Sequence, residues 1–374
     1  MRISTRRLAE KCLLNSLKTQ SWCPDFGDKI SLITFAIIYQ NNFLTEYLSG
    51  QADLSVRTIS CTNKTLPMYA IERDYCDIAP FMIRFDDPDL VNHRDDDGVP
   101  VTHYLLDPKK FRGYRYDSKE NGQVRGMEQG LAVMSFLEAG ADKYALINND
   151  PSTFLVNMAA YRSCSNILRY LLPEYTYMSL SKALYYATLP VDENSENYLR
   201  INDVHVGHQN TEQFREMLRQ QRRDCSQLIL QDLINRRTFG LPVLKDEIKL
   251  MDELALCDKD VRTFVHSYQS DFIDGRLKRD CIELSDKIMS LYDFLVQAFD
   301  DKKFRLLVRD EDLLERYNYF LGGYRETKYC YFKCMISKRI KFCRRQSELL
   351  KKLDKVSKLR EAVPLPYALI YIYC

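Results

Sequence analysis

A chain of 374 residues with 54 Lys and Arg against 52 Asp and Glu has a formal net charge of +2, which excludes a global field directed at nucleic acid. The length suits two or three domains with a core that needs no disulfide staples, and no apolar run approaches the roughly 18 residues of a membrane helix. Its twelve cysteines are scattered, with no C-x-x-C pair and no secretory leader near Met1, which points to reduced thiols in a cytoplasmic or nuclear protein.

Residues 1–26 hold Arg2, Arg6, Arg7 and Lys11 beside Leu8, Leu13 and Leu14; Glu10 turns this pattern away from an organelle-targeting signal and toward a capping segment. Ser31-Leu32-Ile33-Thr34-Phe35-Ala36 then opens a short apolar helix, and Tyr47-Leu48-Ser49-Gly50-Gln51-Ala52-Asp53 closes its partner on a small-residue turn. The same order returns in Leu66-Pro67-Met68-Tyr69-Ala70-Ile71, followed by Ile78 to Phe85 and a turn near Asp89. A third unit opens at Asp97-Gly98-Val99-Pro100-Val101-Thr102-His103-Tyr104-Leu105, but its second helix waits until 131–137. Between the two, 107–126 gathers Lys109, Lys110, Phe111, Arg112, Tyr114, Arg115 and Tyr116 with Gly113, Gly122 and Gly126, a composition suited to an exposed loop and not to a helix. This basic, tyrosine-bearing loop is a candidate partner-binding feature.

The fullest unit follows. Leu137-Glu138-Ala139-Gly140-Ala141-Asp142 ends one helix on a turn, Thr153-Phe154-Leu155-Val156-Asn157-Met158-Ala159-Ala160 opens the next, and Ile167, Leu168, Leu171 and Leu172 give 165–172 one apolar helical face. A weaker copy starts at Ala183-Leu184-Tyr185-Tyr186-Ala187 and fades across 190–197. Together these segments resemble ankyrin repeats, units of about 33 residues made of a helix–turn–helix and a hairpin-like finger. The resemblance implies stacked helix pairs over 27–190, with fingers near 54–65, 92–99 and 145–152 and helices through Ala36, Ala70 and Ala159. Asp53 and Asp142 lie 89 positions apart, whereas two repeats span roughly 66, so about 23 residues form an insertion at about 106–127.

Beyond 210 the helices lengthen and become more polar. Asn210-Thr211-Glu212 offers a start for a stripe through Phe214, Met217, Leu218, Cys225, Leu228 and Leu233, and further stripes run through 248–256 and 282–299. Periodicity leaves open whether 191–325 holds degenerate repeats or a separate helical domain.

The last fifty residues differ in kind. From Lys328 to Arg360 twelve basic residues face two acidic ones, and the chain then ends in Val363-Pro364-Leu365-Pro366-Tyr367-Ala368-Leu369-Ile370-Tyr371-Ile372-Tyr373-Cys374. Phe332, Met335, Ile336 and Ile340, followed by Leu365-Pro366-x-x-Leu369, resemble the helix and the proline element of a SOCS box, the terminal module of the ankyrin repeat and SOCS box family. Where that family carries a small polar residue, Leu and Cys, this chain has Tyr331, Phe332 and Ile336. An F-box-like start at Leu365-Pro366-Tyr367, as in poxvirus-type ankyrin proteins, needs more helix after it than the seven residues from Ala368 to Cys374 hold.

The fold class expected is therefore all-α: an ankyrin-repeat solenoid, a helical region at 191–325, and a short SOCS-box-like module at 326–374. By resemblance the function is that of a substrate-recognition adaptor of a cullin-based ubiquitin ligase, the repeats holding a target and the terminal segment holding elongin B/C and a cullin. The alternative is an ankyrin-repeat protein–protein interaction scaffold without a ligase role. Neither reading involves an enzyme, a cofactor or a membrane. His205 and His208 lack a second ligand pair at zinc spacing, Cys330, Cys334 and Cys343 lack a fourth ligand, and Asp95-Asp96-Asp97 falls on a finger where acidic turn residues are ordinary. No P-loop or dinucleotide fingerprint occurs. The basic run from Lys338 to Arg360 reads as a solvated helix face, since no aromatic platform interleaves it between Arg344 and Arg360, so nucleic acid is not expected as a partner.

Overall fold

The computed structural model describes residues 36–37, 63–73, 75, 79, 88–106, 119–175, 178–189, 211–283, 288–300, 303–304, 332, 335–337, 339–341 and 344–345. These are mostly helical, with two short strands, so the chain is all-α in class. It divides into two units, 1–172 with 180–229 and 173–179 with 230–374.

In the first unit the described helices are α1 (Leu66–Glu72), α2 (Pro88–Val91), α3 (Val101–Tyr104), α4 (Lys119–Glu138), α5 (Leu155–Tyr161), α6 (Ser165–Leu171) and α7 (Ser181–Thr188). Short helices of seven or eight residues are marginal alone in water, so their stability must come from packing. The packing is layered: α1 lies against α3, α5 against α7 and α6, and α4 against α6. Ala36, Ala70 and Ala159 are all helical and fully buried, as expected, and small side chains at these positions let neighbouring helices approach closely. Around them Leu66, Val101, Tyr104, Phe136, Leu155, Ile167, Leu168, Leu171 and Leu184 form an apolar core, each aliphatic or aromatic side chain contributing about 1.5–3 kcal/mol on burial.

Local chemistry ends these helices where the sequence suggests. After α4, Gly140 adopts φ +94°, its N–H reaches the Leu137 carbonyl at 3.1 Å, and the Ala141 N–H reaches Phe136 at 2.9 Å. That pair of bonds is a Schellman stop. The same stop follows α5, with Ser163 at φ +58° taking the glycine's place and the Cys164 N–H bonding to the Ala159 carbonyl at 2.9 Å.

One expectation is overturned between α3 and α5. Residues 119–126 are helical, the first part of the 20-residue α4, and not loop as their glycines suggest. One turn further along the same helix, a Cβ placed on Gly130 would meet the Tyr170 ring of α6 at 2.6 Å. At Gly130 the absent side chain permits a close tertiary approach, set against a propensity cost of about 1 kcal/mol. The turn expected near Asp89 likewise lies one step later, because Asp89 is inside α2.

Helix α8 (Thr211–Thr238) begins in the first unit and passes into the second at Leu230. It is followed by α9 (Lys245–Cys257), α10 (Lys259–Ser267), a π-helical segment Tyr268–Leu277, strands β1 (Cys281–Glu283) and β2 (Ile288–Ser290), and α11 (Leu291–Phe299). The stripe read as helical over 282–299 is corrected here: β1 and β2 pair antiparallel, with Ile282 opposite Met289, and the helix starts only after Ser290, whose hydroxyl accepts the Asp293 N–H at 3.0 Å. That cap fixes the start of α11. Aromatic rings dominate the second unit's core: Phe239 lies 5.8 Å from Tyr292 and 5.5 Å from Phe299, and Tyr268 stacks on Phe264 and Phe272 at 5.9 and 5.0 Å. Beneath them the fully buried Arg236 meets Asp232 at 2.7 Å and donates to the Met178 and Tyr175 carbonyls at 2.8 and 2.9 Å.

Candidate protein-interaction site

The turn at 94–100 shows why its residues form a finger. Arg94 and Pro100 pair as an antiparallel bridge, the Gly98 N–H closes on the Asp95 carbonyl at 2.9 Å, and Gly98 takes φ +74°, a conformation open to glycine at no steric cost. Asp95 organises the inside of the turn. One carboxylate oxygen accepts the Asp97 and Val99 N–H groups at 3.0 and 2.8 Å, and the other accepts the Tyr104 hydroxyl at 2.5 Å. Burial and the neighbouring carboxylate push the Tyr104 hydroxyl well above its ordinary value, keeping it a donor. A second turn repeats the device at Asp150, which accepts the Ser152 N–H at 2.8 Å, while the Thr153 hydroxyl bridges the Asp150 carbonyl at 2.6 Å and the Ile147 N–H at 2.9 Å. Hydrogen bonds from Ser152 hold the Asp150 carboxyl below the usual carboxylate range.

Side chains tie the segment 92–103 to residues far along the chain on either side, while most of the finger expected near 54–65 lies outside the described residues. His93 Nε2 donates to the Asn63 carbonyl at 2.8 Å across 30 residues. Asn92 donates to the Gly140 carbonyl at 3.0 Å and accepts the Asp142 N–H at 2.6 Å, Arg94 donates to the Leu146 carbonyl at 2.6 Å, and His103 donates to the Thr153 carbonyl at 2.8 Å, across 48 to 52 residues. The first step is close to the roughly 33 residues of an ankyrin repeat. The second exceeds it by an amount that the chain from 107 to the start of α4's packed portion takes up. His103 is neutral in this setting: burial, before any other influence, lowers its pKa from 6.5 to about 4. Since Nε2 must carry hydrogen to meet a carbonyl, Nδ1 is left to accept from the Thr102 hydroxyl, 3.2 Å away.

Of the residues singled out in the sequence, Lys109, Lys110, Phe111, Arg112, Tyr114, Arg115, Tyr116, Leu365, Pro366 and Leu369 lie outside the described residues. So do His205, His208, Cys330, Cys334 and Cys343. Phe332, Met335, Ile336 and Ile340 are brought together and buried. Phe332 meets Phe239 edge-on at 5.6 Å and Phe272 in a stack at 6.4 Å, so this face is covered by the chain's own second unit. Asp95, considered above as one of a run of carboxylates, is the buried organiser of a turn, and among the described residues no group of three His, Cys, Asp or Glu side chains is placed to hold a metal ion.

A feature that sequence periodicity passed over lies where α5 and α7 meet. Tyr161, at the end of α5, packs on Tyr186 of α7 at 5.3 Å, and Tyr186 lies 6.0 Å from Tyr185. Arg162 sits over the Tyr161 ring at 5.5 Å and Lys182 over the Tyr186 ring at 5.9 Å. Arg222 of α8 donates to the Leu189 carbonyl at 2.6 Å and to the Tyr161 carbonyl at 3.4 Å. The signal available beforehand was the adjacent pair Tyr185-Tyr186, of which a helix can bury only one ring on a given face.

Comparison of the chain with protein-family models, with curated proteins and with solved structures finds no match. No helix among the described residues is long and apolar enough to cross a membrane.

Proposed function

We propose that this chain is a non-catalytic protein-recognition scaffold, an ankyrin-type stack whose fingers and inner helices hold a partner protein. The observation that carries this reading is the set of side-chain bonds that tie the segment 92–103 to Asn63, 30 residues before it, and to 140–153, 48 to 52 residues after it. Such bonds lock successive turns in register and leave a rigid surface, and rigidity is what a binding surface gains most from, because little ordering entropy is lost on association.

The second reading, a substrate receptor of a cullin-based ubiquitin ligase, is favoured by the spacing of Phe332, Met335, Ile336 and Ile340 on one helix face and by Leu365-Pro366-x-x-Leu369 after it. It carries a cost here. For Phe332 to enter an elongin-like groove it must leave Phe239 and Phe272, and stripping a buried Phe of its packing costs about 3–5 kcal/mol. The scaffold reading pays nothing of the kind.

Purification of the intact wild-type chain from cells, with elongin B and C quantified against it by mass spectrometry, separates the two. The scaffold reading expects a partner protein without the elongins. Elongins B and C near one copy per chain overturn it in favour of the ligase receptor.

A further inference from the structure

Exposed aromatic side chains in a group are unusual on a surface that has no use for them. Tyr161 and Tyr185 are 36% and 53% exposed, and with Tyr186 they form a continuous set of rings across the ends of two packed helices. The charge beside them has one sign where it touches the rings: Arg162 and Lys182 lie on ring faces, and Arg222 is anchored at the Tyr161 carbonyl. Tyrosine with arginine is the pairing richest in binding energy at protein interfaces, since the ring loses little entropy and the cation is delocalised or lies flat on it.

We infer that the Tyr161–Tyr185–Tyr186 cluster is a docking surface for an acidic, extended segment of a partner protein that carries an aromatic side chain. Carboxylates of the segment meet Arg162 and Lys182, and its ring completes the open face of Tyr185. The inference rests on the scaffold reading and names the partner chemistry at one of its surfaces. Charge complementarity selects this occupant: a basic segment brought to the same rings would face Arg162 and Lys182 and be repelled.

The test uses the full chain and two fluorescein-labelled synthetic peptides of about twelve residues, long enough to span such a surface in extended form at about 3.3 Å per residue. One is built of Asp and Glu with two Phe residues; the other has Lys and Arg in place of every acid. Fluorescence anisotropy is expected to show binding of the acidic peptide, weakened by salt, and none of the basic one. Tyr185→Ala and Lys182→Glu each weaken it at least about tenfold, the loss of one interface anchor, with the melting temperature unchanged because both side chains are exposed. The inference is overturned by absence of acidic-peptide binding, by equal binding of the basic peptide, or by either variant binding as the wild type does. A partner protein still held by the chain while the acidic peptide fails to bind sinks the docking surface and leaves the scaffold reading standing; loss of both ends both.

Discussion

His103 offers a quantitative handle on the contact between α3 and the turn at Thr153. Its imidazole is buried and neutral, with a pKa lowered from 6.5 to about 4, and its Nε2–H holds the Thr153 carbonyl 50 residues away at 2.8 Å. In the unfolded chain the same ring titrates near 6.5. Above that pH neither state binds a proton and the contact contributes fully. As pH falls from 6.5 toward 4 the unfolded state takes up the proton first, so stability is lost across this window. At 1.36 kcal/mol per pKa unit the loss is about 2 kcal/mol by pH 5 and about 3 kcal/mol by pH 4. Carboxylates titrate in the same range, so the quantity to measure is a difference: urea unfolding of wild type and His103→Gln at pH 7, 6, 5 and 4, followed by circular dichroism. Glutamine keeps an N–H donor and has no proton to gain. The wild type should lose stability relative to the variant by these amounts as pH falls. A difference that stays flat from pH 7 to pH 4 refutes the claim that His103 is buried and neutral against the Thr153 carbonyl.

Three further outcomes follow from geometry. Arg94→Ala removes charge-assisted bonds to the Gly98 and Leu146 carbonyls and should cost about 2–3 kcal/mol in urea unfolding, with no cost at all if the finger bonds are absent in solution. Asp232→Leu alone strands a buried guanidinium and should cost about 3–5 kcal/mol, whereas Asp232→Leu with Arg236→Met should come within about 1 kcal/mol of wild type; equal losses in the two would show that the carbonyl bonds of Arg236, and not its ion pair, dominate. Phe332→Ala should lower stability by about 3–5 kcal/mol in the absence of any partner, measured by thermal melting of the isolated chain, and an unchanged melting temperature would place this ring on the surface.

Much of the first unit was legible because its devices are local. Helix starts and stops such as Ala139-Gly140-Ala141, and the small buried alanines at 70 and 159, depend on residues within one turn, and these emerged where the pattern placed them. Gly122 and Gly126 misled because glycine content marks loops only on average, and both lie within α4. For 282–299 the apolar stripe fits helical spacing as well as it fits a strand pair, and short apolar runs do not distinguish the two. The cross-finger roles of Asn92, Arg94 and His103 were hidden for a similar reason: each bonds a backbone carbonyl, and every residue has one. Phe332 shows the limit of motif reading, since one apolar helix face serves an adaptor groove and an intramolecular core equally well, and its contacts with Phe239 and Phe272 are not encoded in the spacing of the motif.

Partner recognition is proposed for the first unit, and cross-linking mass spectrometry of the intact chain with its captured partner measures that location directly. Lys143, just ahead of the finger expected near 145–152, and Lys182, beside the tyrosine cluster, are the residues expected to cross-link to the partner. Partner cross-links confined to lysines between Lys338 and Lys358, with none at Lys143 or Lys182, would contradict it.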